Sequence, residues 1–298
     1  MTNRVRLDLA LVRRGLAANR QQAQAAIEAG RVLVGGAIAD KPARLVAPSD
    51  AVVVEGDGPR FVSRGGEKLA AALERFAVPV AGALAVDAGA STGGFTDCLL
   101  QYGAARVVAV DVGYGQLDQR LRNDDRVAVL ERTNIRSLTP GTVAAALADD
   151  RPVDVVTADL SFISATVVAP VLAGPIVRPG GHLVVLVKPQ FEAGRTEVSR
   201  GKGVIRDPAT WAAAIRSVAS SLGDAGAAIM GGMRSPVLGP AGNTEFLLHA
   251  VAGGGRRPDD EVEPLVAAAV AEPIGDGPIG DGPIGDELAE DSPTSGED

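Results

Sequence analysis

Cysteine is nearly missing from this chain of 298 residues; Cys98 is the single one. An internal disulfide is therefore excluded, which fits a reducing compartment. Histidine is almost as scarce. His182, His249 and Cys98 cannot form a zinc site of the usual kind. A Ser-His-Asp triad would have to use one of two histidines that border apolar, strand-like runs. Aromatic residues make up 3% of the sequence, so a core must be built from Ala, Val, Leu and Ile. No apolar run approaches the roughly 20 residues that cross a bilayer. Arginines break up the opening MTNRVRLDLALVRRG too early for a signal peptide. The expectation is a soluble cytoplasmic protein.

Lysine is the remaining scarcity. Of 29 basic residues only four are lysine: Lys41, Lys68, Lys188 and Lys202. A solvated surface accepts arginine as readily. Chemistry that needs an amine able to release its proton does not, because the guanidinium stays charged.

What is present is unevenly distributed. The net charge of -8 hides a basic front, with eight basic and three acidic residues up to Pro48. From Gly253 onward there are thirteen acidic and two basic residues. Such asymmetry points to a nucleic-acid-facing end. The front segment reads as a short helix stopping at Gly15, then a second from Arg20 to Ala29 with Asn19 as N-cap. RVLVGGAIADKPARLV follows, alternating around a Gly-Gly turn as a hairpin would. RLDLALVRRGLAANRQQAQAAIEAGRVLVGG followed by KP resembles the S4-type RNA-binding domain, a small α+β module. The resemblance implies RNA contacts through Arg4, Arg6, Arg14, Arg20 and Lys41, with Arg64 able to reach phosphate from the segment beyond.

A Gly- and charge-rich stretch then reads as a linker. The expected division is 1–58 for the RNA-binding domain, 59–65 for the linker, 66–252 for a second domain and 253–298 for a disordered tail. In that tail PIGDG repeats, and VEPLVAAAVAE is at best a marginal helix. Between residues 66 and 252, Val-rich runs (ALAVDAG, ARVVAVDVG, RVAVLERTN, VDVVTADLSF, GHLVVLVKPQF) alternate with Ala-rich helical stretches. That pattern predicts an α/β fold with a mostly parallel, doubly wound sheet. AAIMGGMRS and NTEFLLHAV predict a closing antiparallel hairpin.

VDAGASTGGFTD, from Val86 to Asp97, places a glycine-rich turn between a strand and a helix starting near Phe95. Glycines there let backbone approach a ligand, and the spacing is not the dinucleotide G-x-G-x-x-G. The next strand ends at Asp111, an acid able to accept ribose hydroxyls. NAD and S-adenosylmethionine both fit these features, and the loop and closing hairpin favour S-adenosylmethionine. Lys188 ends an apolar strand before Pro189, Asp159 ends another, and Glu245 points opposite to Thr244 and Phe246 in the alternation of the last strand.

SRGGEKL, DAGASTGGFTD, ADLSF, LVKPQFE and GNTEFLL occur in that order and resemble the FtsJ-like ribose methyltransferases. Together with the front domain they resemble the TlyA family of rRNA 2′-O-methyltransferases, some members of which bear a haemolysin label. The resemblance implies a class I (Rossmann-like) methyltransferase domain and S-adenosylmethionine as cofactor. It also implies cytidine 2′-hydroxyls of 16S and 23S rRNA as substrate and ribosomal subunits as partners, with no metal and no membrane; a monomer is the default. It implies a catalytic tetrad of Lys68, Asp159, Lys188 and Glu245. Lys188 is the base or orienting group, Lys68 lowers its pKa and holds RNA, and the two acids fix the ammonium groups. The methionine end of the cofactor falls to Asp87, Gly89, Ala90, Ser91, Thr92, Gly93, Gly94 and Phe95. The ribose falls to Asp111 with Val112, the adenine to the region of Asn134, and the cofactor amine to Asp159. The rival readings are an RNA-binding assembly factor with an inactive domain, and a haemolysin.

Overall fold

The computed structural model describes residues 4–17, 19–56, 59–193 and 204–273. The chain divides into two compact units, one ending at Arg60 and the other beginning at Phe61.

In the first unit a short strand, β1 (Val5–Arg6), leads directly into α1 (Leu7–Arg13). The Asn19 side chain accepts from Gln22 N at 2.9 Å and caps α2 (Arg20–Glu28), as the sequence predicts. Leu7, Leu11, Ala23, Ile27 and Val32 are buried together between these helices and the strands. β2 (Val32–Val34) reverses at Gly35 and Gly36, at φ +61° and +81°, into β3 (Ala37–Ile38). Positive φ at both turn positions is the primed geometry that matches strand twist. The expected hairpin ends there. β4 (Leu45–Val46) pairs antiparallel with β1, and β5 (Val52–Val54) takes the other side of β2.

The second unit starts earlier than the expected linker boundary. Phe61 and Val62 are core residues, and Val62 N donates to Asp97 Oδ2 at 2.8 Å. A Cβ on Gly66 would lie 2.2 Å from the Phe61 ring, so the chain folds tightly back on itself. α3 (Gly65–Arg75) follows, then the alternation anticipated from the Val-rich runs. These elements are β6 (Leu84–Ala88), α4 (Gly94–Gln101), β7 (Arg106–Val110), α5 (Gln119–Arg122) and β8 (Val127–Leu130). They continue with α6 (Pro140–Leu147), β9 (Val153–Ala158), α7 (Ala165–Leu172), β10 (Val177–Val187) and α8 (Pro189–Glu192). The last described elements are α9 (Pro208–Asp224), β11 (Ala227–Arg234), β12 (Phe246–Ala252) and α10 (Asp259–Ala271).

The seven strands run in the order β11-β12-β10-β9-β6-β7-β8. β6 to β10 are parallel, and β12 is antiparallel to both β10 and β11. The order in which successive strands are added reverses between β6 and β9, which opens a crevice at their C-terminal ends. Side-chain alternation divides the core between the two faces. Val86, Val108, Val156, Val185 and Phe246 face α7 and α9, whereas Ala85, Val107, Val155, Leu186 and Leu247 face α3 and α4.

One expectation for the tail is overturned. Residues 259–271 form a helix whose Val266 and Ala269 are buried against the sheet. Arg216 clamps it through Glu263 at 2.8 and 2.9 Å, and Arg234 N donates to Glu272 at 2.8 Å. Glu263 thus pairs with Arg216, and Glu272 lies 3.8 Å from Arg75, contacts that composition alone does not reveal. The PIGDG repeats lie outside the described residues.

Candidate active site

The period-two alternation of the strands determines which residues meet. Lys188, Asp159 and Glu245 each continue the parity of the α3/α4 face, and α3 delivers Lys68 to that same face. β10 and β12 pair Leu186 with Leu247 and Val187 with Phe246. One further step along that register brings Lys188 opposite Glu245.

The four tetrad residues form two ion pairs. Lys68 Nζ donates to Glu245 Oε2 at 2.5 Å. Lys68 is 6% exposed and Glu245 1%. Lys188 Nζ lies 2.5 Å from Asp159 Oδ1, a close charge contact without hydrogen-bond alignment, and donates to Ser161 Oγ at 3.0 Å. Two buried positive and two negative charges thus balance locally.

α3 starts against the glycine-rich turn because neither side carries a Cβ there. A Cβ on Gly94 would lie 2.3 Å from Ser63 Oγ and 2.9 Å from Gly66 N. Gly89 and Gly93 adopt φ +87° and +98°. A Cβ at Gly89 would lie 2.5 Å from the Asp159 carbonyl oxygen, and one at Gly93 would lie 2.2 Å from Leu121. Ala90, Ser91 and Thr92 complete the turn, with Ser91 itself at φ +48°.

Two residues expected to line this cradle lie beneath it instead. Phe95 is buried in the core under α3. Asp87 is 0% exposed and accepts from Thr96 Oγ1 at 2.6 Å and Thr157 Oγ1 at 3.3 Å. Burial raises its pKa to about 7; the nearby Asp159 charge adds to the rise and the two hydroxyls oppose it. It props the turn and does not line it.

At the end of β7, Asp111 joins two loops. Its Oδ2 accepts from Ser91 N at 2.7 Å and its Oδ1 from Gly113 N at 2.6 Å. Each oxygen keeps a lone pair. Val112 beside it is 69% exposed. Thr133 N donates to the Asp111 carbonyl at 2.9 Å, which places exposed Asn134 at the same edge. The Asn134 side chain accepts from Arg136 N at 3.0 Å.

Three site features escaped the sequence reading: Ser161, Phe162 and Tyr114. Phe162 sits at φ +66° and is 92% exposed, 5.5 Å from the Phe191 ring. The Tyr114 ring is also exposed and carries the Arg132 guanidinium at 4.3 Å. Isolated loop aromatics leave no periodic signal.

In the first unit Arg4, Arg20 and Lys41 are exposed and Arg6 is half-buried; Arg64, in the second unit, is exposed. Arg14 departs from its expected role. Its guanidinium donates to the carbonyls of Asp50 and Ala47 at 2.8 Å and of Pro48 at 3.3 Å. Those donors are committed to closing the loop before β5, so Arg14 holds the fold.

The FtsJ-like methyltransferase family model matches residues 61–251, and the S4 domain model matches residues 5–52. The 16S/23S rRNA (cytidine-2′-O)-methyltransferase TlyA of Mycobacterium tuberculosis is 51% identical over 249 residues, covering 83% of this chain and 90% of the relative. Hemolysin A of Brachyspira hyodysenteriae is 38% identical over 83% of this chain and all of its own length. A solved structure from Streptococcus thermophilus, described as a candidate hemolysin, is 37% identical. It superposes with a TM-score of 0.68 over 90% of this chain and 96% of that one.

Proposed function

This chain belongs to the FtsJ-like methyltransferase family, and we propose that it methylates cytidine 2′-hydroxyls of 16S and 23S ribosomal RNA, using S-adenosylmethionine. The observation that carries the reading is the pair of lysine–carboxylate contacts beside a glycine-rich turn at the reversal point of the sheet.

The residues present fit the cofactor. Gly89 and Gly93 let the turn backbone pack directly against Asp159 and Leu121 in a left-handed conformation that shapes the cradle, the spare lone pairs of Asp111 suit a ribose diol, and exposed Val112 offers an apolar flank for a purine. S-adenosylmethionine, when bound, supplies a methyl group on a positively charged sulfur. Everything else falls to the protein. Lys188 Nζ has three N–H groups. Asp159 and Ser161 hold two sides of it, and the remaining direction is left for the ribose 2′-oxygen. As an ammonium Lys188 aims that oxygen; once it has released one of its own protons to solvent, the freed lone pair can take the hydroxyl proton, whereas an arginine could only aim. Lys68, buried and neutralised by Glu245, is not placed to hold the RNA backbone as expected and instead fixes α3 against the site. Phe162 and Tyr114 present faces on which bases can stack, and the S4 unit supplies phosphate contacts through Arg4, Arg6, Arg20 and Lys41.

The test is to map 2′-O-methylation on rRNA incubated with the protein and S-adenosylmethionine. New modification at cytidines, lost in Lys188→Ala, is expected. Activity surviving in Lys188→Ala would remove Lys188 from the chemistry. Ribosome binding without any methylation would favour an assembly factor.

A further inference from the structure

The RNA contacts of the first unit are basic, yet the group that organises them is an acid. Asp8 is 0% exposed. Arg6 grips it with two bonds, Nε to Oδ1 at 3.1 Å and Nη2 to Oδ2 at 2.8 Å. Arg20 Nε and Gln24 Nε2 reach Oδ2 at 2.9 and 3.1 Å, and Leu9 N reaches Oδ1 at 2.9 Å. Arg6 precedes α1, while Arg20 and Gln24 lie on α2, so one carboxylate joins two elements. These contacts, Arg6 foremost, hold its pKa well below the usual carboxylate range against the cost of burial. A simple helix-start acid would need only the Leu9 bond.

Each guanidinium has five N–H groups. Asp8 engages two of Arg6 and one of Arg20, and the two side chains remain 39% and 54% exposed. Unrestrained arginines lose much rotamer freedom on binding; arginines already fixed lose less.

We propose that Asp8 is a positioning residue for RNA binding, locking Arg6 and Arg20 into a paired, pre-ordered fork for neighbouring backbone phosphates. The inference rests on reading this unit as RNA-binding. It predicts a sign opposite to that of bulk electrostatics: removing a negative charge from a basic surface would otherwise strengthen phosphate binding.

The experiment measures binding of the full chain to a labelled 23S rRNA transcript across salt concentrations. Asp8→Asn is expected to bind on the order of tenfold more weakly, with a shallower salt dependence. In an Arg6→Ala/Arg20→Ala background, Asp8→Asn should have no further effect. Unchanged or tighter binding by folded Asp8→Asn overturns the proposal, as does an equal loss in the double-arginine background. Should Asp8→Asn lose its cooperative melting transition, Asp8→Glu, which keeps the charge and displaces it, decides the same question by the same criteria. If Arg6→Ala/Arg20→Ala itself leaves affinity unchanged, the RNA-binding reading of these arginines falls, and the proposal with it.

Discussion

Lys68 and Glu245 lie 177 residues apart in the sequence and touch at 2.5 Å, both buried. Removing only one partner strands a charge. Lys68→Met is expected to cost about 3–5 kcal/mol of unfolding free energy. Lys68→Met combined with Glu245→Leu should recover most of that stability but no methyl transfer. Denaturant melts and a methylation assay separate the two effects; a double variant as unstable as the single one would contradict the pairing.

The Lys188 site predicts a graded series. Lys188→Arg keeps the charge, cannot take a proton, and should lower kcat by about 10²–10⁴-fold. Ser161→Ala loses one hydrogen bond to the ammonium, and about a tenfold loss in kcat is expected. Full activity of Lys188→Arg would assign this residue an electrostatic role alone.

Phe162 contributes little to the fold, being almost wholly exposed. Phe162→Ala should leave the melting temperature and S-adenosylmethionine affinity unchanged while weakening RNA engagement by about 1–3 kcal/mol, the value of one stacked base. Steady-state kinetics with RNA as the varied substrate would register this. Unaltered RNA kinetics would remove the ring from the interface.

A histidine pair makes stability depend on pH. His249 Nε2 lies 3.0 Å from His182 Nδ1, and Phe76 stacks on the His249 ring. Burial, aided by the neighbouring His182, lowers the His249 pKa from 6.5 to about 4. As pH falls, the unfolded chain takes the proton first. The contribution is therefore fully present above pH 6.5 and is lost as pH falls towards 4, by up to about 3 kcal/mol. Asp87 acts in the opposite sense. Its pKa of about 7 exceeds 3.8, so its contribution is present at low pH and is lost as pH rises through 7. Melting His249→Gln beside the parent protein at pH 7.5 and 5 isolates the histidine, and the parent should lose more stability on acidification. Equal losses would mean that His249 does not carry the effect.

Most of the parallel sheet was legible because strands buried on both faces read as short Val-rich runs. The opposite facing of Glu245 and Phe246 also followed from alternation alone. The partner choice within the tetrad did not, since it depends on register across the sheet and on the approach of α3, which no local spacing encodes. Asp87 ends a strand as a ligand-binding acid would; only the hydroxyls of Thr96 and Thr157 reveal it as a buried prop. Arg14 looks like its neighbouring arginines until the carbonyls of Ala47, Pro48 and Asp50 are seen around it. VEPLVAAAVAE read as only a marginal helix because its anchoring to the fold, through Arg216 on Glu263 and the burial of Val266 and Ala269, has no local signature.

Gly89 meets the Asp159 carbonyl oxygen at a distance no side chain could occupy, and Asp159 N donates to Ala88 O at 2.9 Å. The cradle and the carboxylate facing Lys188 are thus one mechanical part. A lineage evolving this enzyme towards another methyl donor would disturb its aim at the hydroxyl with the same substitution. Change of donor is therefore closed to small steps, while change of RNA target, which acts through exposed loops and the S4 unit, stays open.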